Sequence, residues 1–529
     1  MVMGLLFSLF VPSARPQEES VATHEEGHPD AALLSFDDLR TLSSTTKPEA
    51  GLQARLDTVL TTPFVHNDAG AAAVRPHRPI TQGLGPVLRV ATWNIERGLN
   101  FELIRSALTD ANEFEKFEND SKHLTGFHKE LVRSQLNTLE NADVFILNEV
   151  DLGMKRTEYR DVAHDLAVAL HMNYAYGVEF VEVDPVFALG TEQVHLPDGQ
   201  QDQRLQEDLQ VDRELYRGLH GTAILSRYPI RNARIVRLPV CYDWYSKEAK
   251  EVAHIEKGKR WAAHRLFKER ISREIRRGGR MALIVELAIP DLPTGEATIV
   301  ATHLENRCAP GCRVRQMNAV LASVKQTQNP VVLAGDLNTT GRNNTPTSVR
   351  DEIMSRVTDY QFWIGQTVSY FHPLGIYRHA LFPVHYLHGY NDPTAYHIPI
   401  LWNNRERALF NTVEDFRFAY ERAFDFSGEP ERTLKGRSRT LADSNERAAK
   451  GFIPTYSFAR DYGGLVGRFK LDWILVKPFV QNPRRNGQSG LFAPYFPETM
   501  RALNESVNDR ICDHAPMTVD LPLKEPMQQ

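Results

Sequence analysis

Residues 330–338 read Pro-Val-Val-Leu-Ala-Gly-Asp-Leu-Asn (PVVLAGDLN), and the fold follows from how that stretch is read. Asn329 and Pro330 break whatever precedes them, and Val331 to Ala334 form an unbroken apolar run. Such a run is the pattern of a strand buried on both faces. Gly335 ends it, and Asp336, Leu337 and Asn338 follow. If the strand continues, its period of two turns Asp336 and Asn338 to the same side. A carboxylate and a neutral amide then sit together at the mouth of a buried sheet. That pair suits metal-assisted phosphoryl chemistry, with the carboxylate activating water or facing a cation and the amide donating to a developing oxyanion. Taken alone, the stretch reads equally as a strand end followed by a D-x-N turn.

Working outward, the chain has 529 residues, which is too many for one small core and implies a large domain with insertions or two to three domains. Hydrophobic residues make up 42% and charged residues 24%, as in an ordinary globular protein. Lys and Arg number 62 against 67 Asp and Glu, a formal net charge of -5, so no global basic excess points to nucleic acid. No apolar span is long enough to cross a bilayer as a helix. Gly4 to Val11 is a short apolar run before Pro12-Ser13-Ala14, and it resembles a secretory signal over residues 1–16 without a basic start. Export, to a periplasm or the medium, is the expectation; a membrane-brushing tail is the alternative. Of the four cysteines, Cys308 and Cys312 flank a Pro-Gly pair. A short-loop disulfide between them is plausible in an oxidising compartment, and two free thiols in a turn is the other reading. A metal site would need more Cys or His partners nearby.

Residues 17–86 are polar and read as an arm, with short helices at Leu33–Leu42 and Leu52–Leu60. The main domain is expected over residues 87–525. Strands are predicted at Leu88–Ile95, Val144–Leu147, Tyr174–Val181, Thr222–Leu225, Met281–Ile289, Ala297–His303, Phe469–Val476 and Met517–Leu523. Helices are predicted at Phe127–Glu140 and Arg160–Leu170, and an exposed loop at Asp184–Gly218. Trp261–Arg280 is strongly basic and predicts a helix, either a solvated face or a phosphate-attracting one. Residues 340–465 lack strand periodicity and are too long for a simple loop, so an inserted subdomain or lid is expected there. The irregular spacing of its histidines favours structural roles over metal binding.

Polar residues follow apolar runs at Asn94, Glu149, His303, Asp336 with Asn338, Asp472 and Asp513-His514. Each buried carboxylate costs desolvation unless it is paired or metal-bound. So many of them in one strand–helix alternation predict a single site where strand ends converge. The motifs TWNIERG, ILNEVD, GTAILSRYPI, THLEN, GDLN, LDWILV and DHAP, in that order, resemble the endonuclease/exonuclease/phosphatase superfamily. That group includes apurinic-site endonucleases, pancreatic-type deoxyribonucleases, neutral sphingomyelinases and inositol polyphosphate 5-phosphatases. The resemblance implies a four-layer α/β sandwich, with two mixed β-sheets packed face to face, helices outside and the active site at one rim.

It also implies roles. Glu149 would be the main carboxylate ligand of Mg²⁺ or Mn²⁺, with Asn94, Glu96 behind it, and Asp513 completing the metal side. Asp336 would orient or deprotonate the attacking water, Asn338 would steady the phosphorane oxygens, and His303 and Asn306 would contact the phosphate. Asp472 would fix the tautomer of His514, and either Asp336 or the Asp472–His514 pair would take the proton. The implied activity is a metal-dependent phosphodiesterase of nuclease type, acting as a monomer on a phosphate ester in nucleic acid or a phospholipid head group. Sphingomyelinase-like or inositol phosphatase activity and a non-catalytic scaffold are the alternatives. Relatives often carry Asn where this chain has Thr222, and the 340–465 insertion is longer than is usual for the family.

Overall fold

The computed structural model describes residues 34–67, 75–117, 126–185, 188–191, 210–250, 274–339, 393–394, 404–424, 445–446, 452–457, 468–477 and 498–524, apart from 83, 421 and 509. Its strands are β1 (Phe64–His66), β2 (Ile80–Thr81), β3 (Gly85–Arg97), β4 (Val144–Leu152), β5 (Asn173–Glu182), β6 (Leu219–Ser226), β7 (Ile230–Arg237) and β8 (Arg276–Gly278). Then come β9 (Met281–Ala288), β10 (Glu296–Thr302), β11 (Val331–Asp336), β12 (Tyr456–Ser457), β13 (Arg468–Phe469), β14 (Asp472–Lys477), β15 (Glu498–Thr499) and β16 (Met517–Pro522). One sheet runs β1-β5-β6-β4-β3-β16-β15, with β2 on β3 and β8 on β5; the other runs β14-β11-β10-β9-β7. Each is mixed: β3–β4 and β10–β11 are parallel, and their other neighbours antiparallel.

Side-chain alternation makes the layers. On β4, Val144 and Ile146 face the second sheet, where they meet Met281, Leu283, Ile299 and Val332. Phe145 and Leu147 point the other way, under helices. Those helices are α3 (Phe101–Thr109), α5 (Gly126–Glu140) and α6 (Val162–Leu170). The second sheet's outer face is covered by α8 (Pro310–Val324) and α9 (Arg407–Asp415), through Met317, Val320, Phe410 and Val413. Two sheets face to face with helices outside is the expected sandwich.

The N-terminal segment expected as an arm folds onto the domain. Helices α1 (Phe36–Ser44) and α2 (Ala50–Thr61) bury Leu39, Leu42 and Val59 in the same core as β5 and α6. The basic segment is not helical where it is described: Arg276–Gly278 pairs antiparallel with β5, and Arg276 and Arg280 are buried among carboxylates. Residues 251–273 lie outside the described residues. The loop expected at 184–218 has buried ends at Asp184, Ala188 and Tyr216; 192–209 lie outside the described residues. Most of 340–465 does too, including its histidines, but α9 packs on α8 and the Arg313–Glu406 ion pair between them is fully buried.

The expected Cys308–Cys312 bridge is absent. Cys312 is bonded to Cys241, at a Cα separation of 5.9 Å, and Cys308 is a buried free thiol. Pro310 and Gly311 do not form a hairpin turn; Pro310 opens α8, where its missing N–H costs nothing. No helix among the described residues is long and apolar enough to cross a membrane.

Candidate active site

The strand ends converge as the sequence predicts. Register sets Asp336 of β11 opposite Asp472 of β14 and Asn94 of β3 beside Asn148 of β4. A register shift between Asn94 and Arg97 and another between Leu147 and Val150 swing Glu96 and Glu149 out of the regular ladder, while Arg97 pairs with Val150. Glu96, Arg97, Glu149 and Asn338 all have positive φ, at 48°, 68°, 52° and 50°. Left-handed backbone is costly for such residues, and its clustering at one rim is the mark of a functional site. Gly335 is obligatory: its φ is 139°, and a Cβ there would lie 2.0 Å from the Thr302 carbonyl oxygen and 2.7 Å from Asn148 Oδ1.

Asp336 Oδ2 is the hub. Asn94 Nδ2 donates to it at 3.3 Å and to Glu149 Oε1 at 3.2 Å. His303 Nε2 lies 3.6 Å away and His514 Nε2 3.7 Å away. The other oxygen of Asp336 accepts the backbone N–H of Asn338 at 2.8 Å. Asn338 in turn donates one amide hydrogen to the Leu304 carbonyl at 2.9 Å, which ties the GDLN turn to the strand end carrying His303. His514 Nδ1 donates to Asp472 Oδ2 at 2.6 Å, fixing the tautomer. Tyr456 packs edge-on against the imidazole, with centroids 4.9 Å apart.

Asp513 donates its backbone N–H to Glu96 Oε2 at 3.0 Å. Asn306 follows His303 in the loop, half-buried, with Oδ1 sealed from solvent and unbonded among the described residues. Thus Asn94, Glu149, His303, Asp336 and His514 join in one web, Asp472 and Asn338 brace it, and Glu96 links Asp513 to the same rim.

Electrostatics follow from burial. Asp336 is pushed up to about 7 by desolvation, with Asp472 adding to it. Burial works against the His514 cation, but Asp472 and the other carboxylates outweigh it and lift the ring to about 10. Burial and Arg280 push His303 well down, so it is neutral. Glu96 rises to about 8 from burial and the nearby Asp513. Burial opposes the Glu149 charge, yet Arg97 and the histidines hold its carboxyl low.

The donor set fits a divalent cation. Asp472 Oδ1 and Asp513 Oδ1 are buried with no hydrogen-bond partner among the described residues, and like charges press on one another, Asp513 on Glu96 and Glu149 on Glu96, Asp513 and Asp336. A cation relieves both. Asp336, Asp472 and His514 also bring ligand atoms within 4.8 Å of one another. The short Asp472–His514 bond occupies Nδ1, so that trio is an oriented dyad beside Asp336 more than an ion cage.

Several contributors escaped sequence reasoning. Asn148 Oδ1 accepts the Asp336 backbone N–H at 3.0 Å, and Asn148 Nδ2 donates to Thr222 at 3.1 Å. Thr222 donates to Glu179 at 2.7 Å, and Arg280 donates to the other Glu179 oxygen at 2.6 Å. That oxygen lies 3.8 Å from His303 Nδ1. At the rim, Arg156 bridges Asp151 and Glu182, and Arg276 bridges Glu182 and Glu274. A charged residue inside the apolar run YGVEFV was the only sequence trace of Glu179.

No curated protein matches the chain in sequence. Among solved structures, it is similar to an endonuclease/exonuclease/phosphatase from Beutenbergia cavernae, at 16% identity over 83% of this chain and 72% of that one, with a TM-score of 0.36. The 3′ phosphatase NExo from Neisseria, bound to a product DNA hairpin, shares 12% identity over 82% of this chain and 99% of that one, with a TM-score of 0.35. Beta toxin from Staphylococcus aureus shares 12% identity over 82% and 99%, with a TM-score of 0.27. The model of the Endonuclease/Exonuclease/phosphatase family matches residues 91–485, well over half of the chain, and the protein belongs to that family.

Proposed function

We propose that the protein is a divalent-cation-dependent phosphodiesterase of nuclease type. One observation carries the reading: Asn94 of β3, His303 just after β10 and His514 in the turn before β16 lie 3.3, 3.6 and 3.7 Å from a single carboxylate oxygen, Asp336 Oδ2 of β11, and the same Asn94 nitrogen reaches Glu149 of β4. Glu149, Asn94 and Asp513, with Glu96 behind them, would hold Mg²⁺ or Mn²⁺. Bound there, such an ion lowers the pKa of water and neutralises phosphoryl charge.

The protein's own groups divide the remaining work. Asp336 is the proton acceptor for the attacking water, because a carboxyl poised near 7 is half-ionised at neutral pH. His514 is lifted to about 10 and already cationic, so it cannot take that proton. It donates Nε2–H to a phosphoryl oxygen instead, held in orientation by Asp472. Neutral His303 contacts the same phosphate, and Asn338, with one amide hydrogen free of Leu304, steadies the developing charge. Asn306 reaches the substrate from the loop after His303.

The test is a substrate panel of plasmid DNA, RNA, sphingomyelin, inositol phosphates and bis-p-nitrophenyl phosphate, with Mg²⁺, Mn²⁺ or chelator. A phosphodiester in nucleic acid is the expected substrate; hydrolysis of sphingomyelin alone moves the reading to a phospholipase C-like enzyme. Asp336→Ala and His514→Ala should each lower turnover by about 10²–10⁴-fold while the circular dichroism spectrum is kept. Wild-type turnover in either variant refutes the assignment.

A further inference from the structure

The rim holds a second imidazole–carboxylate pair that the mechanism above does not use. On β6, Ala223 and Leu225 pack outward under the helices, while Ile224 points between the sheets. A period of two puts Thr222 and His220 on the face of Ile224. On β4 the shift around Glu149 resets the count: Val150 and Leu152 turn outward and Asp151 inward, opposite His220. The inward face therefore climbs from Ile224 in the core, through Thr222 beside Glu179, to His220 one step nearer the mouth. The sheet order β6-β4-β3-β16 also sets Glu149 between His220 on one side and His514 on the other.

His220 Nδ1 lies 2.8 Å from Asp151 Oδ1, and the two side chains are 2% and 0% exposed. Asp151 does not need the histidine for charge balance, since Arg156 already grips both of its oxygens at 2.6 and 2.9 Å. With Nδ1 directed at the carboxylate, Nε2 is the free nitrogen. It makes no hydrogen bond to the described residues, yet it is not among the polar atoms sealed from solvent. Nε2 is thus the one ring nitrogen left for a partner from outside the described residues. The ring is also an electrostatic neighbour of Glu149 and His303.

We propose that His220 is a substrate-contacting residue that engages the substrate as the imidazolium, Nδ1–H donating to Asp151 and Nε2–H to an oxygen of the phosphate ester on the β6 side of Glu149, with Asp151 as its positioning residue. This rests on the phosphodiesterase reading. A purely structural pair would be served as well by an apolar ring, because a buried polar side chain costs free energy that packing alone does not require.

The first test uses the wild-type protein with Mn²⁺ and inorganic phosphate. Diethyl pyrocarbonate modification, mapped by mass spectrometry, should label His220 and be suppressed about fivefold or more by phosphate, because a bound anion shields the nitrogen it occupies. A His220 that never reacts, or one that reacts equally with phosphate present while His303 is protected, overturns the proposal. The second test compares His220→Phe with His220→Gln, which restores a hydrogen-bonding group near Nε2. The Phe variant should lose about tenfold or more in kcat/KM, with Mn²⁺ affinity unchanged, and the Gln variant should regain part of it. Equal losses in both that track a lowered unfolding temperature overturn it. If the wild-type protein hydrolyses nothing in the panel, the enzymatic reading falls, and the phosphate protection still decides whether His220 faces the site.

Discussion

In the proposed mechanism Asp336 is the acid–base group, and its buried position explains its ionisation. Desolvation and Asp472 both oppose its charge, and the folded protein holds it up at about 7. Only the ionised form accepts a proton, so hydrolysis should fall as pH drops through about 7. The limb moves lower when the cation is loaded, because a nearby positive charge favours carboxylate. His303 gives the complementary stability term. Its pKa is depressed in the folded state by burial and Arg280. The stability it contributes is therefore present above the unfolded value, roughly 6.5, and is lost as pH falls below that value. Rates and far-UV circular dichroism recorded at the same pH values separate the two. With the cation loaded, the absence of any acid limb over the whole range in which the protein stays folded excludes Asp336 as the acceptor.

The elements differ in how plainly the sequence announced them. Strands β4, β10 and β11 are apolar runs that stop at a polar residue, so both the strand and the polar residue at its end were legible. Helix α8 was not, because Pro310-Gly311 looks like a turn until the first-turn preference of proline is considered. Strand β7, Ile-Arg-Asn-Ala-Arg-Ile-Val-Arg, lies at a sheet edge with every residue but Ile230 at least partly solvated, and it offers no apolar run to notice. The site divides in the same way. Residues that follow apolar runs were found; Glu179, Asn148 and His220 were missed because their importance lies in partners from distant strands. The cysteines are the clearest case, since nearness in sequence favoured Cys308 where the fold brings Cys241 across a separation of 71 residues. Closing a loop that long should contribute about 4 kcal/mol by the chain-entropy model. Cys241→Ala should accordingly shift the urea midpoint down, and an unchanged midpoint would show that the bridge does not constrain the unfolded chain.

At the scale of the molecule, the two sheets and their covering helices form one cooperative body that begins well before the first strand of the site. Leu39, Leu42, Leu56 and Val59 come from the two N-terminal helices and share a core with Tyr176, Val178 and Leu166. Fully burying side chains of this type contributes about 1.5–3 kcal/mol each. Deleting residues 1–62 should therefore strip a covering layer from β5, raise binding of a hydrophobic dye and lower the unfolding temperature by several degrees. A trimmed protein as stable and as dye-free as the full chain would show those helices to be dispensable.

The pairing of β16 with β3 orders events at birth. The first strand of the catalytic web emerges from the ribosome early, but the neighbour that completes its edge, together with His514 just ahead of it, is translated more than four hundred residues later. Until then the sheet ends at β3, whose edge is unpaired on that side, and the Asp472 dyad has no imidazole. If the proposed function holds, a chain terminated before His514 would be hydrolytically silent, and the chemistry would appear only once that turn has been made.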